Sequence, residues 1–410
     1  MKYVIIIGDG MADYPVEGLK GETPLKVART PHMDWMARHG EIGLVRTIPI
    51  GFNPGSEIAN LSIFGYDPVR YYTGRGPLEA ASLGVKLQPN DIAFRCNLVT
   101  LQGDGPQTVM EDFSAGHITD DEAREIILDL DQKLGTEDVR FYPGVSYRHL
   151  MVLRNGVLKF SNLESLELTP PHDIIGKEIF PFLPEGGRAD QILTLMNHSQ
   201  QLLKNHPVNL SRKTKGLRSA NSIWLWGQGR STQMITLKER FGIEGYVISA
   251  VHLLKGIGIL AGLEVLEVPG ATGYFDTNYD GKAQYALRGL KEKDFVYVHV
   301  EAPDEAGHMG NPELKIETIE IFDEKIVGAI LKGMNDFKSY KVMVLPDHPT
   351  PLSVRTHTAD PVPYVIYSSE DEASTAHGEA FDEMSAGQSK IFIDKGFELI
   401  ERFLNLHGLP

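Results

Sequence analysis

Short apolar runs alternate with segments of helical periodicity over the second half of the chain. Beyond Ser219, β-branched or aromatic runs predict strands, and the segments between them place apolar residues along one face of a helix. The predicted strands are NSIWLWG, GYVISA, LEVLEVPG, DFVYVHVEA, YKVMVLPDH and PVPYVIYS, and the predicted helices are VHLLKGIGILAG, KAQYALRGLKE and IETIEIFDEKIVGAILKGM. This alternation indicates an α/β fold with a mostly parallel sheet and helices on both faces. The run from Tyr3 to Ile7 is of the same type and is expected to join that sheet.

The central region of the chain has a different sequence pattern. Its predicted strands, IAFRCNLVTL and YRHLMVLRNGVLKF, are weaker, and it ends in the polar basic segment KNHPVNLSRKTKG. At 410 residues the chain is also too long for one ordinary core. We therefore predict a discontinuous domain of residues 1–72 and 217–410, and a smaller inserted α+β domain of residues 73–216.

Composition excludes several classes of protein. No apolar run approaches the roughly 20 residues needed to span a bilayer, and the N-terminal MKYVIIIGDG is typical of a buried strand and not of a signal peptide. The single cysteine, Cys96, cannot form an internal disulfide, which favours the cytoplasm and a small buried apolar role for its side chain. A formal charge of −15 argues against a broad nucleic-acid-binding face. Oligomeric state is left open by the sequence.

Acidic residues and histidines recur where predicted strands end. In open α/β sheets the carboxyl ends of parallel strands meet at one edge, where ligands bind. Any one of these residues could be only a helix cap or a turn residue, but together they supply three carboxylates and three imidazoles, the ligand mix of zinc and manganese. With a serine oxygen they are enough for two ions. They are Asp9, Asp304, His308, Asp347, His348 and His357.

Ser56 is the candidate serine. It follows Asn-Pro-Gly and opens the run SEIANLSIF, whose apolar spacing predicts a helix. One interpretation is an ordinary N-cap. The other is a nucleophile, because a helix start faces anions, and a nearby metal ion would make the hydroxyl reactive.

These features resemble a known family. Asp-Gly after the first strand, a serine after a Pro-Gly turn, Asp-x-x-x-His, an Asp-His pair and a later histidine before ADPVP look like the alkaline phosphatase superfamily. Within it, GSEIANLSIFGYDP, YTGRGPLEA, AGHI, GVSYRH, PPHDIIGK, ANSIWLWGQG and AVHLLKGIGILAG resemble the archaeal-type cofactor-independent phosphoglycerate mutases. The resemblance implies an alkaline-phosphatase-like fold and interconversion of 3-phosphoglycerate and 2-phosphoglycerate, a step of glycolysis and gluconeogenesis.

The resemblance also assigns roles to the residues at the predicted sheet edge. It makes Ser56 the phosphoryl acceptor, which implies a phosphoserine intermediate and no need for 2,3-bisphosphoglycerate. It implies two divalent ions, manganese by family expectation, with zinc, magnesium and cobalt as alternatives. One departure is Glu57, where much of the family is expected to have aspartate. The first ion would be held by Asp9, Ser56, Asp347 and His348, and the second by Asp304, His308 and His357.

A mutase must also hold the dephosphorylated glycerate while it reorients. Arginine suits carboxylate and phosphate recognition, and short motifs of the inserted region supply candidates. Catalytic candidates are Lys282, which resembles a family lysine that contacts the transferring phosphoryl group, and His117; substrate-binding candidates are Arg148, His172, Asp173, Arg218 and Arg75. The alternatives are solvated surface arginines, a histidine that only closes a turn beside Pro-Pro, and a hinge role for Arg75.

Two other functions remain open from the sequence. The same site could belong to a metal-dependent phosphomonoesterase or to a mutase for another phosphorylated small molecule. A catalytically idle relative is the third reading, and it is disfavoured because every predicted metal ligand is present.

Overall fold

The chain forms two compact units. The computed structural model describes residues 1–159, 163, 166–186, 189–370 and 378–405. The first unit comprises Met1–Tyr72 and Met234–Pro410, and the second comprises Thr73–Gln233. The chain leaves the first unit where the sequence predicts, but it returns after Gln233 and not after residue 216.

An eight-stranded sheet forms the centre of the first unit among the described residues. With strands numbered in chain order, its spatial order is β13 (Phe392–Ile393), β2 (Glu41–Val45), β12 (Val362–Ser368), β11 (Tyr340–Leu345), β1 (Lys2–Gly8), β10 (Phe295–Val300), β8 (Gly245–Ile248) and β9 (Glu264–Val265). The run from β11 to β9 is parallel, whereas β12 is antiparallel to both of its neighbours. The N-terminal strand therefore joins the sheet at its centre, as predicted.

Helices connect these strands and cover the sheet. The predicted helix IETIEIFDEKIVGAILKGM is divided by a π-helical segment, Asp323–Gly328. The Asp323 carboxylate accepts from the backbone N–H groups of His32 and Met33 at the start of another helix. The α-helices of this unit are α1 (Pro24–Val27), α2 (Pro31–His39), α3 (Ser56–Ile63), α4 (Pro68–Tyr71), α10 (Leu237–Phe241), α11 (His252–Leu260), α12 (Tyr279–Glu292), α13 (Ala302–Met309), α14 (Pro312–Phe322), α15 (Ala329–Met334), α16 (Glu383–Gln388) and α17 (Leu399–Asn405).

Alternation along the central strands explains the layers of the first unit. On β10, Val296, Val298 and Val300 belong to a buried apolar cluster that also contains residues of α2 and α12. The residues between them, including Tyr297 and His299, point to the opposite face because successive strand side chains alternate. Tyr297 stacks there on Phe64, which directly follows α3, at a ring-centroid distance of 4.1 Å.

The second unit contains an antiparallel sheet and its own apolar core. Among the described residues its strands are β3 (Ile92–Gln102), β4 (Val109–Asp112), β5 (Val139–Val145), β6 (Arg148–Leu153) and β7 (Ser222–Arg230), and its α-helices are α5 (Arg75–Ser82), α6 (Asp120–Leu134), α7 (Gly156–Lys159), α8 (Ala189–Leu203) and α9 (Pro207–Thr214). Strand β7 pairs with β3 over most of its length. This pairing is why the predicted boundary after residue 216 was wrong, and why NSIWLWG is not a strand of the parallel sheet. Cys96 is buried on β3, as expected.

Among the described residues, no helix combines the length and the apolar character that crossing a membrane requires.

Glu383 is a half-buried residue at the start of α16. Its oxygens accept hydrogen bonds from Thr23 Oγ1 at 2.6 Å and from the backbone N–H of Asp13 at 3.0 Å. Burial outweighs these bonds and raises the pKa of Glu383 from 4.5 to about 6. Such an acid stabilises the fold below its unfolded-state pKa and loses that contribution as the pH rises through its folded-state pKa.

Glu383→Gln is therefore expected to stabilise the protein at high pH. The free energy of unfolding should rise by about 2 kcal/mol at pH 8 and change little near pH 4, because the amide carries no charge to bury. Urea unfolding of both proteins at the two pH values, with a chelator present, measures the difference. An equal gain at both pH values would show that ionisation of this carboxyl group is not the cause.

Candidate metal centre

Three neighbouring parallel strands bring their carboxyl ends together at one edge of the first unit's sheet. Strand β1 lies between β10 and β11, and Asp9 follows β1 while Asp347 follows β11 two residues after its end. Asp304 lies in the first turn of α13, which begins directly after β10. All three carboxylates are at least 92% buried, with Asp9 3%, Asp304 8% and Asp347 0% exposed. The sheet topology, and not local sequence, creates this concentration of negative charge.

His348 forms the first group of contacts at this edge. Its Nε2 lies 3.0 Å from Ser56 Oγ, 3.4 Å from Asp9 Oδ1 and 3.6 Å from Asp347 Oδ2. These are the four side chains that the sequence groups around one ion. The structure brings them together in a single buried cluster, in which Ser56 is the only half-buried member.

Asp304 organises the second group. His308 Nε2 lies 3.1 Å from Asp304 Oδ2, and His357 Nε2 lies 3.5 Å from Asp304 Oδ1. The two histidine Nε2 atoms are 3.1 Å apart. His308 and Asp304 meet because they are one helical turn apart on α13, while a loop brings His357. These are the three side chains that the sequence groups around the second ion.

The two groups adjoin through His348. One ligand atom each from Asp304, His348 and His357 can be chosen so that all three lie within 4.8 Å of one another. The ring centroids of His348 and His357 are 4.1 Å apart. Thr350 strengthens this junction, because its hydroxyl contacts both Asp304 Oδ1 and His348 Nδ1.

The electrostatics of the cluster fit bound cations. Burial and the charges of Asp347 and Asp304 raise the pKa of Asp9 well above the usual range. Burial alone would raise the pKa of Asp304, but hydrogen bonds with His308 and His357 hold it well below that range. Burial lowers the pKa of His348, which favours the neutral ligand form. Asp9 Oδ1 is buried without a hydrogen-bond partner among the described residues, so the residues present fit a divalent ion held by carboxylates and imidazoles.

Gly10 allows the close approach of the loop after β1. Its φ is +60°, and a Cβ atom there would lie 2.5 Å from both Asp304 Oδ1 and Thr350 Oγ1. Its backbone N–H donates to Asp347 Oδ1 at 3.1 Å. Only glycine provides this conformation and this space, which explains the Asp-Gly pair noted in the sequence.

Ser56 is the first residue of α3 and not its N-cap. Gly55 occupies the cap position, and the helix has no side-chain cap hydrogen bond. The hydroxyl instead contacts His348 Nε2. The interpretation of Ser56 as an ordinary cap is therefore wrong, and its oxygen faces the proposed metal ligands.

Asn60 is a residue of this site that the sequence analysis missed. One turn after Ser56 on α3, its Nδ2 donates to the Ser56 carbonyl and to Asp347 Oδ2, both at 2.8 Å. Its Oδ1 accepts a short hydrogen bond from the hydroxyl of Tyr297, a fully buried residue of β10. The Tyr297 hydroxyl thereby fixes which end of the amide faces Asp347. The only sequence signal was a polar residue on the apolar side of a predicted helix.

Asn60→Asp tests this contact with an almost isosteric change. A carboxylate at this position would face Asp347 Oδ2 and the Ser56 carbonyl without a donor, so repulsion should disturb the metal-binding geometry. We expect the affinity for manganese to fall by about 10- to 100-fold, as for other side chains that orient metal ligands. Isothermal titration of the metal-free protein measures this. Tyr297→Phe should have a smaller effect in the same direction, and unchanged affinity in both variants would contradict the role.

Lys282 makes its contacts with the end of β10 and the residue that follows it. It is 0% exposed on α12, and its Nζ donates to the carbonyl of His299 at 2.8 Å and to Glu301 Oε2 at 3.3 Å. In this arrangement the ammonium group neutralises a buried carboxylate. A contact between Lys282 and a phosphoryl group stays a prediction.

Four of the predicted substrate-binding residues and the predicted catalytic His117 lie along one band of the second unit. Aromatic contacts connect the ring of His117 to Tyr147, Tyr147 to Phe113, Phe113 to His172, and His172 to Trp226. Arg148 stacks on Tyr147, and Arg75 and Arg95 stack on Trp226. Asp173 follows His172, with 3.7 Å between the imidazole Nε2 and the carboxylate. The structure therefore collects Arg75, His117, Arg148, His172 and Asp173 and adds Arg95, which the sequence analysis missed.

Arg218 is placed differently from that band. Its guanidinium bonds Asp112 at 2.6 Å and lies 3.4 Å from Glu111. It also lines a cavity of about 520 Å³ in the second unit, together with Lys204 and Lys213. Because Asp112 also accepts from the backbone N–H of Gly116, Arg218 supports the turn that leads to His117. A direct substrate contact by Arg218 stays a prediction.

The comparisons with known proteins cover both units. A family model for 2,3-bisphosphoglycerate-independent phosphoglycerate mutase matches residues 37–209. The 2,3-bisphosphoglycerate-independent phosphoglycerate mutase of Methanosarcina acetivorans is 53% identical over 401 residues, covering 98% of each chain. The enzyme of Methanothermobacter thermautotrophicus with that description, numbered 2, is 48% identical over 402 residues, covering 98% of this chain and 96% of the relative.

Solved structures show the same fold. A Pyrococcus horikoshii protein is 30% identical with a TM-score of 0.80, covering 99% of this chain and 97% of that one. The cofactor-independent phosphoglycerate mutase of Thermoplasma acidophilum is 27% identical with a TM-score of 0.67, and the match covers 100% of both chains. Sequence and fold similarity thus extend over the whole length of this chain.

Proposed function

Because this chain belongs to the 2,3-bisphosphoglycerate-independent phosphoglycerate mutase family, we propose that it interconverts 3-phosphoglycerate and 2-phosphoglycerate through a phosphoserine at Ser56. The single observation that carries this mechanism is the position of Ser56 Oγ. It lies at the start of a helix, 3.0 Å from His348 Nε2, which in turn lies 3.4 Å from Asp9 Oδ1 and 3.6 Å from Asp347 Oδ2. A serine that served only as a cap would not be directed into such a cluster.

We further propose that the cluster holds two divalent ions, with manganese as the first choice and zinc, magnesium and cobalt as alternatives. Asp9, Ser56, Asp347 and His348 would hold one, and Asp304, His308 and His357 the other. When bound, such ions lower the pKa of a hydroxyl and neutralise phosphoryl oxygens during an in-line displacement. The chain's own contribution is to hold these ligands rigidly, through Gly10, Asn60 and Thr350, before substrate arrives.

The proposed cycle uses Ser56 twice. In the forward half, Ser56 Oγ gives up its proton and attacks phosphorus, the bond between phosphorus and the 3-oxygen of the substrate breaks, and that oxygen takes up a proton. In the second half, the 2-hydroxyl of the same glycerate loses its proton and its oxygen attacks phosphorus, the bond between phosphorus and Ser56 Oγ breaks, and Oγ takes up a proton. No bisphosphorylated cofactor is required, because the phosphoryl group never leaves the enzyme–glycerate pair.

The second unit's band is the proposed recognition element for glycerate. Arginine guanidinium groups bind carboxylates in a planar bidentate manner, and Arg75 and Arg148 are the candidates of this type that lie on the band. His117 and Asp173 are the candidates for moving the glycerate proton. Single substitutions of these four residues should raise KM or lower kcat without changing the manganese content of the protein.

One assay separates the mutase from the other functions. Metal-reconstituted protein receives 3-phosphoglycerate without 2,3-bisphosphoglycerate, and phosphorus NMR follows 2-phosphoglycerate and inorganic phosphate. Formation of 2-phosphoglycerate without phosphate release supports the mutase. Phosphate release would indicate a phosphomonoesterase, and the absence of both products after loading with each of the four metals would indicate an inactive relative. Atomic absorption on the same samples measures how many ions are bound.

A further inference from the structure

Four buried titratable side chains form a chain of contacts that begins at Asp9. His299 Nε2 lies 3.1 Å from Asp9 Oδ2, and His299 Nδ1 lies 3.3 Å from Glu301 Oε1. Glu301 Oε2 in turn lies 3.3 Å from Lys282 Nζ. His299 and Lys282 are 0% exposed, and Asp9 and Glu301 are at most 5% exposed. The sequence analysis did not connect His299, Glu301 or Lys282 with Asp9.

Acidic and basic groups alternate along this chain. A buried ion is costly unless it is paired, and removing one partner leaves an uncompensated charge. Carboxylate, imidazole, carboxylate and ammonium follow one another from Asp9 to Lys282. Lys282 is therefore best explained as the last member of this chain, since its remaining bond is to the carbonyl of His299.

The chain occupies only one oxygen of Asp9. His299 faces Oδ2, whereas Oδ1 lies 3.4 Å from His348 Nε2 and has no hydrogen-bond partner among the described residues. The two carboxylate oxygens of Asp347 also have different partners. Its Oδ1 accepts from two backbone N–H groups, and among the described residues its Oδ2 accepts from Asn60. Asp9 Oδ1 and one lone pair of Asp347 Oδ2 thus stay open, and both oxygens lie within 3.6 Å of His348 Nε2, which contacts Ser56 Oγ.

We propose that His299, held by Glu301 and Lys282, is a positioning residue that fixes Asp9 so that Oδ1 is presented to a metal ion. This inference rests on the proposed two-ion site. Imidazole is suited to this task because its two ring nitrogens contact two carboxylates in fixed directions. Its position on β10, whose neighbour β1 leads directly to Asp9, makes the contact part of the sheet itself.

A competing arrangement places His299 among the metal ligands. One ligand atom each from Asp9, His299 and Asp347 can be chosen so that all lie within 4.8 Å of one another, and His299 Nε2 has no well-aligned hydrogen bond. The number of open lone pairs on Asp347 argues against a separate ion held by Asp9, His299 and Asp347. Asp347 has only one open lone pair, and the group around His348 already uses it.

The test compares His299→Gln with His299→Leu. The glutamine amide can place an N–H near the position of Nε2, whereas leucine only fills the space. Manganese binding to the metal-free full chain is measured by calorimetry, and pulsed electron paramagnetic resonance counts the nitrogens coupled to bound manganese. Asp9→Ala identifies which of the binding events depends on this carboxylate.

Positioning predicts a selective result. His299→Leu should weaken the Asp9-dependent ion by about 10- to 100-fold and leave the other ion within about threefold, while His299→Gln stays within about threefold at both sites. The nitrogen couplings should be the same in wild type and both variants. Unchanged affinity in His299→Leu, equal losses in the two variants, or the loss of a nitrogen coupling would each overturn the proposal.

Two further measurements keep the test decisive. If His299→Leu does not fold, Glu301→Gln takes its place, because it removes the charge that holds His299 and should weaken the same ion alone; unchanged affinity there overturns the proposal. If the wild-type protein binds one ion and Asp9→Ala abolishes it, the two-ion proposal fails, and the His299 variants are judged on that ion. If Asp9→Ala changes no binding event, the positioning role fails with it.

Discussion

Ser56→Ala is expected to lower the conversion of 3-phosphoglycerate to 2-phosphoglycerate by on the order of 10⁵-fold or more, since loss of the proposed serine nucleophile would remove the covalent route altogether. The methyl side chain of alanine fits where the half-buried hydroxyl was, and α3 loses no cap because Gly55 occupies that position. Manganese should still bind at both sites, since the carboxylate and imidazole ligands remain. Steady-state assays and calorimetry on the same preparation measure both quantities.

Ser62→Ala is the matched control for this substitution. Ser62 lies on the same helix, is 0% exposed, and its Oγ has no hydrogen-bond partner among the described residues. Its removal deletes a hydroxyl from α3 without touching the metal centre, so activity should stay within about threefold. Substantial turnover in Ser56→Ala would disprove the phosphoserine mechanism, and mass spectrometry of quenched wild-type enzyme should find the phosphoryl group on the Ser56 peptide.

Asp304→Asn is expected to lower activity by on the order of 10³-fold and to remove one of the two proposed ions. A metal ion contributes several kcal/mol of charge stabilisation in the transition state, and each 1.4 kcal/mol is about tenfold in rate. The amide oxygen of asparagine can still accept from Thr350, so α13 should remain in place, but two histidines cannot hold the second ion without the carboxylate. Metal analysis after gel filtration measures the stoichiometry.

Glu305→Gln makes the same chemical change one residue away. Glu305 lies on α13 beside Asp304 and is half-buried, but it is not among the proposed ligands. The variant should retain both ions and most of the activity. If Asp304→Asn also retained two ions, the assignment of Asp304, His308 and His357 to one ion would be wrong.

The strand ends made most of the metal centre predictable. Asp9 comes directly after an apolar run that is typical of a buried strand, and Asp347 lies just beyond another. Parallel strands present their carboxyl ends at one edge of the sheet. His308 follows Asp304 by four residues after the same predicted strand, and His357 lies on the loop before the next predicted strand. The family resemblance added only how the residues divide between the two proposed ions.

The side chains that hold the proposed metal ligands in place could not be predicted from these sequence patterns. Asn60 and His299 are isolated polar residues within apolar helix and strand patterns, and such residues usually satisfy themselves locally. What gives them a role is contact with residues far along the chain, Asp347 for Asn60 and Asp9 for His299. Sequence periodicity shows which face a residue lies on, but not which side chain it meets across that face.

The error at β7 has a related cause. The run NSIWLWG has the apolar density of a central parallel strand, and Trp224 and Trp226 are indeed nearly fully buried. The apolar pattern of a strand shows that the strand is buried but not which strand it pairs with. It therefore could not show that β7 pairs with β3 of the second unit. The boundary between the units was misplaced for that reason alone.

The position of β1 between β10 and β11 governs the order in which the protein can fold during synthesis. Strand β1 is translated before both of its partners, which lie about 290 and 340 residues further along the chain. The second unit pairs its strands within residues 73–233 and can fold while the first unit is still incomplete. A nascent chain released before residue 347 would therefore contain a folded second unit and no metal centre. Premature termination should yield an inactive product, because the last ligands to be translated lie on the loops after β11.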